Sequence, residues 1–254
     1  MPSTSNKTGL AAPTLAQSRK TGINITSAAH LLIDVPPYPA MDEGDLIELF
    51  WDGCYVASRV LTASDVGGPV QLRVPESFIA NGTSRVHYRV MQVGQGPAVS
   101  AARRVQIKLD CPGGQPSALS GDENQSLAPV SIPETIRRQG VNPNQIRRGV
   151  PLTIEPYLNM AADDEITLRW GDVRMDLPRL KAADVGQPIQ IWVPPVVIDE
   201  AGEDLRLEVT YCILDRVGNN SRWAPARMLK IGCTNPLQLA APRRSEACPR
   251  RRQS

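Results

Sequence analysis

Aromatic side chains are scarce in this chain, at 4% of 254 residues, and histidine occurs only at His30 and His87. The arginine-rich last 21 residues have no aromatic residues interleaved, so that tail offers no stacking platform for single-stranded nucleic acid. The charge balance excludes the duplex as well. Net charge is +2, and the last 21 residues hold Arg243, Arg244, Arg250, Arg251 and Arg252 against Glu246, which leaves about −2 on the rest. A nucleic-acid-binding body would be basic. No HExxH, GxSxG or phosphate-binding glycine loop occurs, so the common metalloprotease, α/β-hydrolase and nucleotide-binding signatures are missing. Long apolar runs are missing too, which argues against membrane insertion. Met1 to Thr26 is polar and lacks the apolar core of a Sec signal. The chain is therefore expected in the cytoplasm as synthesised, with any export to the cell surface by a non-Sec route.

Cysteine is limited to Cys54, Cys111, Cys212, Cys233 and Cys248. No CxxC or Cys/His spacing suggests zinc. Only Cys111 and Cys233 stand in comparable places, each just after the last strand pattern of its half, so no disulfide framework repeats along the chain. Unpaired thiols in a reducing compartment are the expectation.

What the sequence does contain is a duplication. Tyr38, Met41, Asp45 and Trp51 return 119 positions later as Tyr157, Met160, Asp164 and Trp170. Asp65-Val66-Gly67 returns as Asp184-Val185-Gly186, and Pro69 as Pro188. Over positions 36 to 75, 16 of 40 residues are identical without a gap. Two tandem modules of about 100 residues follow, each large enough for its own core.

Each module reads as short strands. Ile47, Leu49 and Trp51 alternate with polar positions, as do Ile166, Leu168 and Trp170, and a period of two marks a half-buried strand. Val70, Leu72 and Val74, then Ile189, Ile191 and Val193, repeat the pattern, as do Val86, Tyr88, Val90 and Val209, Tyr211, Ile213. With 23 Pro and 19 Gly punctuating these runs, about seven strands per module predict an all-β protein of two tandem immunoglobulin-like antiparallel β-sandwich domains. The expected layout is a disordered stretch at 1–9, modules at 10–110 and 127–233, a linker at 111–126 and a disordered basic tail at 234–254. The Gly-, Ser- and Pro-rich linker predicts two modules that move separately.

The pattern Tyr-Pro-x-Met-x-x-Gly-Asp-x-Ile-x-Leu-x-Trp, followed by Asp-Val-Gly-x-Pro-Val-x-Leu-x-Val-Pro and Val-x-Tyr-x-Val, resembles bacterial immunoglobulin-like repeat modules. Such modules occur in large surface and secreted proteins of Gram-negative bacteria, including invasin- and adhesin-like ones. The second copy departs from it: Leu158-Asn159 stands where Pro39-Ala40 stands, and Asp163 replaces Gly44. The resemblance implies adhesion-type binding to a protein or cell surface, without a cofactor.

Candidate site residues are few. Phe50 and Trp192 fall on outward strand positions, Arg73 holds the position that Trp192 takes in the second copy, and all three are candidates for partner contact. Trp192 is also the candidate anchor of a fixed junction. Asp42, Glu43 and Asp45, and likewise Asp163, Asp164 and Glu165, form acidic loops that are weak candidates for calcium, which wants six to eight oxygens. The rival reading is a solvated turn. No catalytic residue is singled out. Three functions stay open: a non-enzymatic binding or spacer protein, an intracellular adaptor, chaperone or immunity-type accessory protein of a secretion or toxin system, and a hydrolase whose site is assembled by the fold around His30 or His87.

Overall fold

The computed structural model describes residues 9–16, 22–116 and 121–232. Two sandwiches follow one another along the chain. In the first, β1 (Thr14–Leu15), β3 (Leu32–Val35) and β6 (Val70–Arg73) form one sheet. The facing sheet runs β2 (Gly22–Ile23), β9 (Arg103–Ile107), β7 (Gly82–Met91), β4 (Leu46–Trp51) and β5 (Cys54–Val60), with β8 (Ala98–Val99) also on β7. All these pairings are antiparallel except β2 with β9. A one-turn helix, α1 (Ile25–Ala28), follows β2.

The second module opens with α2 (Glu134–Gln139) and α3 (Pro143–Arg148), and β10 (Val150–Ile154) pairs with β13 (Ile189–Val193). Its larger sheet runs β12 (Val173–Asp176), β11 (Glu165–Trp170), β14 (Leu207–Leu214) and β15 (Asn220–Trp223), with β16 (Arg227–Leu229) on β14. The helix α4 (Pro195–Ala201) follows β13. Single bridges complete the correspondence: Ser131 to Thr153 repeats β1 on β3, and the parallel bridge Val141 to Ile231 repeats β2 on β9. The chain is therefore two tandem immunoglobulin-like β-sandwiches. The short helices were not expected. Asn24 and Asn142 start α1 and α3, each side chain accepting from a backbone amide in the first turn, which is the N-cap chemistry of Asn.

Each sandwich has a core of its own, one spanning Ile23 to Ile107 and the other Leu127 to Ile231. The expected alternation holds residue by residue. Ile47, Leu49 and Trp51 are buried between half-exposed neighbours, and Ile166, Leu168 and Trp170 repeat them. Leu49 lies opposite Tyr88, and Leu168 opposite Tyr211, so a Tyr packs beside the Trp in each core.

The last strand slips by two relative to the sequence reading. Ile107 pairs with Ile23, whereas Ile231 pairs with Val141. The counterpart of Lys108 is therefore Gly232, not Lys230, and Cys111 is not matched by Cys233, which lies outside the described residues. The reason is that strand register follows the inward residues, Val105 and Ile107 against Leu229 and Ile231, and not the cysteines.

Candidate functional site

Two regions concentrate side-chain chemistry: the outer faces of the larger sheets, and the junction between modules. On the first sheet, Phe50 is half-buried, stacked on His87 at 5.1 Å between centroids and 7° between planes. Tyr55 meets Phe50 edge-on at 6.3 Å, and the Arg89 guanidinium lies 5.3 Å from its ring. Arg89 is in turn paired with Glu48. Strand alternation places all these residues on one face, since β4, β5 and β7 are adjacent. The second sheet carries the same elements with roles exchanged. Arg169 and Arg174 stand where Phe50 and Tyr55 stand, and both guanidinium groups lie over Trp223, at 5.0 and 5.7 Å. Arginine over an aromatic face is held by the ring quadrupole.

Arg73 and Trp192 do the same local task. Arg73 Nη2 donates to the Ala29 carbonyl, and Trp192 Nε1 donates to the Arg148 carbonyl at 3.0 Å. Both tie the strand to the end of the preceding helical turn. Gly149 leaves room for the indole: a Cβ there would sit 2.4 Å from Trp192 Nε1. Trp192 stays 56% exposed. Its indole nitrogen is spent on Arg148 of its own module, and the hydrogen bonds and ion pairs across the junction described below are made by other residues.

The six acidic residues part company. Asp45 and Asp164 turn inward, are buried, and accept from Tyr38 and Tyr157 hydroxyls at 2.9 and 2.8 Å. Each also accepts a backbone amide, from Asp42 and Ala161. Asp42 Oδ1 accepts from the Glu43 amide, and Glu165 pairs with Arg179. Glu43 and Asp163 lie in the two turns, Asp163 with φ of 68° where the first copy has Gly44. Among the described residues no group of three or more His, Cys, Asp or Glu side chains converges as a metal donor set. Burial pushes the Tyr157 hydroxyl well above its ordinary range, with the Asp164 charge adding to it.

His30 is exposed on a turn and His87 lies against Phe50. Among the described residues neither imidazole hydrogen-bonds to a hydroxyl, thiol or carboxylate.

The junction overturns the expectation of freely moving modules. Lys108, one residue past β9, sends its ammonium into the second module, 3.3 Å from Asp215 Oδ2, 3.7 Å from Asp164 Oδ1 and 3.4 Å from the Asn159 carbonyl. Its side chain is 13% exposed and the two carboxylates at most 1%. Asn219 bonds across the boundary at both ends of its amide, Nδ2 to the Lys108 carbonyl at 2.7 Å and Oδ1 from the Ile25 amide at 3.0 Å. Gly113 donates to the Leu158 carbonyl, and Asn159 to the Cys111 carbonyl. Cys111, Pro112 and Gly113 are buried, so this part of the connection is packed into the second module. Composition suggested a flexible tether; backbone hydrogen bonds to specific loops override it. A polar cleft opens beside the junction, lined among others by Ile25, Cys111, Asn219 and Arg222.

The sequence carried a trace of this site. Tyr and Asp recur seven apart in both copies, which is the spacing of the Tyr38–Asp45 and Tyr157–Asp164 bonds. Lys108, Asp215, Asn219 and Trp223 have no matching copy and gave no signal.

No family model matches the chain, and no curated protein matches it. Solved structures do resemble it. A structure of a 1.5-MDa bacterial ice-binding adhesin is 12% identical, with 89% of this chain and 66% of that one covered and a TM-score of 0.35. The fibronectin(III)-like modules of CbhA from Clostridium thermocellum are 9% identical, covering 86% of this chain and 94% of that one, with a TM-score of 0.42. A tetra-tandem repeat from the extending region of a large adhesion protein is 13% identical, covering 86% and 48%, with a TM-score of 0.34. The chain thus spans just under two thirds of that ice-binding adhesin structure. Such values assign no function, which rests on the residues. No helix among the described residues is long and apolar enough to cross a membrane.

Proposed function

We propose that this is a non-enzymatic binding and spacer protein, in which two immunoglobulin-like modules are held end to end and meet a protein or cell-surface partner through their outer sheet faces. The observation that carries this reading is the arginine–aromatic cluster at the same place on both sheets, Phe50, His87 and Arg89 on one and Arg169, Arg174 and Trp223 on the other. Aromatic and arginine side chains are the residues that dominate binding energy at interfaces. Trp192, still more than half exposed, adds a third contact of this kind, whereas Arg73 is engaged with Ala29 and serves the fold first. The modules are taken as 10–110 and 127–233 with 111–126 between them, a division supported by the two separate cores.

Binding of the purified chain to cells of the source organism's habitat, and to proteins extracted from their surfaces, tests the reading. Phe50→Ala and Trp223→Ala are each expected to weaken that binding about tenfold or more, the scale of a hot-spot loss of 1.4 kcal/mol or above. Unchanged binding in both would remove the sheet faces from the account. A second reading, an intracellular accessory protein, is favoured by one observation: Cys54, Cys111 and Cys212 are all unpaired. Reduced thiols in the cytosolic fraction of native cells would favour it over the surface role.

A further inference from the structure

Both modules carry the same socket at the same end, and they fill it in different ways. In the second module the socket is formed by Asp164, Asp215 and the Asn159 carbonyl, and Lys108 of the first module occupies it. The strand registers fix the counterparts in the first. Leu46 pairs with Met91 and Glu165 with Leu214, so Asp215 corresponds to Gln92, just as Asn159 corresponds to Ala40, both with positive φ. Gln92 Nε2 donates to the Ala40 carbonyl at 2.6 Å and reaches Asp45 Oδ2 at 3.3 Å. An amide from within the first module thus does what an ammonium from the neighbour does in the second.

We propose that this socket selects which module stacks on which: Asp215 makes it a receptor for a lysine at the base of the neighbouring module, and Gln92 closes the same socket from within. The other end of the contact agrees. The residue of the second module that corresponds to Lys108 is Gly232, which has no amine to offer. Among the described residues, it is the first module's base on the second module's top that brings a lysine to an open socket. In a second copy of this chain the same rule holds, so the second module's base on the first module's top is not a matched pair.

Charge explains why the match is strict. Two carboxylates, both almost fully buried, share one ammonium, and Asp164 Oδ1 has no hydrogen-bond partner. A buried carboxylate left without its cation is strongly unfavourable. A socket with Asp at position 215 therefore needs a lysine, whereas one with an amide there is complete without one.

Small-angle scattering, circular dichroism and urea unfolding of the full chain test the proposal. Lys108→Met keeps the stem and removes the charge. It is expected to enlarge the maximum dimension and lower the urea midpoint while the β-sheet signal stays. Adding Asp164→Asn neutralises the carboxyl whose Oδ1 has no other partner and puts an amide in the socket, while Asp215 keeps its bonds from Val217 and Asn219. That double variant is expected to stay enlarged but to recover the midpoint lost by the single one. Scattering of Lys108→Met that superposes on wild type, or a double variant as unstable as the single, would overturn the socket. Should Lys108→Met not fold, Gln92→Asp carries the test: it opens the first socket with no lysine to fill it, and is expected to lower the midpoint. An unchanged midpoint there would equally overturn it.

Discussion

Asp164 shows how a single carboxyl ties local chemistry to the assembly. Tyr157 and the Ala161 amide hold one oxygen, and Lys108 stands near the other with Asp215 beyond it. Burial is the largest influence on it and pushes its carboxyl above the ordinary aspartate range, against the lowering effect of the Ala161 amide, the Tyr157 hydroxyl and Lys108. A group whose folded value is raised binds its proton more tightly when folded. Its favourable contribution is fully present below the unfolded value, about 4, and is lost as pH rises through the higher folded value. The folded chain should therefore gain stability from this group as pH falls from neutral toward about 4. Asp164→Asn keeps an acceptor for Tyr157 and cannot titrate, so it is expected to flatten that part of the profile. Urea midpoints across the pH range would show it, and a profile unchanged by the substitution would assign the pH dependence to other groups.

At the scale of the element, strand alternation determines most of what was legible beforehand. Ile47, Leu49 and Trp51 could be placed on one face from their spacing alone, because the period of a strand is two and only one face of each sheet is buried. Duplication then checked the reading against a second copy. The short helices escaped it, since four to seven residues carry too little periodicity to separate a helical turn from a loop. The register of β16 escaped it because cysteine spacing and core spacing disagree by two, and packing decides register. Trp51 and Trp170 end equivalent strands with 2% and 0% exposure, and neither indole nitrogen has a hydrogen-bond partner. Their contribution is therefore packing rather than polar contact. Truncation of either to Ala should cost about 3–5 kcal/mol, the usual loss for a large core aromatic. Urea unfolding measures this directly, and a loss below about 1 kcal/mol, less than the transfer term of so large a side chain alone, would overturn their role as core anchors.

For the whole molecule, the junction is the feature that sequence could not reveal. Lys108 lies more than 100 positions along the chain from Asp215 and Asn219; the three occur once each and belong to loops where no periodicity operates. Their meeting also depends on how closely the modules approach, and that distance is set by a residue with no side chain. Gly22 faces Val217 across the boundary: a Cβ on Gly22 would lie 2.4 Å from Val217 Cγ1, and 2.8 Å from the Gln106 carbonyl of its own module. Contacts that short force something to move. Gly22→Ala is therefore expected to displace the modules from each other and to strain β2 on β9 as well. Val217→Ala removes the nearer methyl and leaves the Gln106 contact, so adding it should restore the inter-module part and not the rest. A double-mutant cycle separates the two: scattering reports the approach of the modules, and urea unfolding reports the strain within the first. If Gly22→Ala leaves the wild-type scattering curve intact, the modules are not set by this approach, and the position of Lys108 must be fixed by Asn219 and the Cys111–Gly113 segment alone.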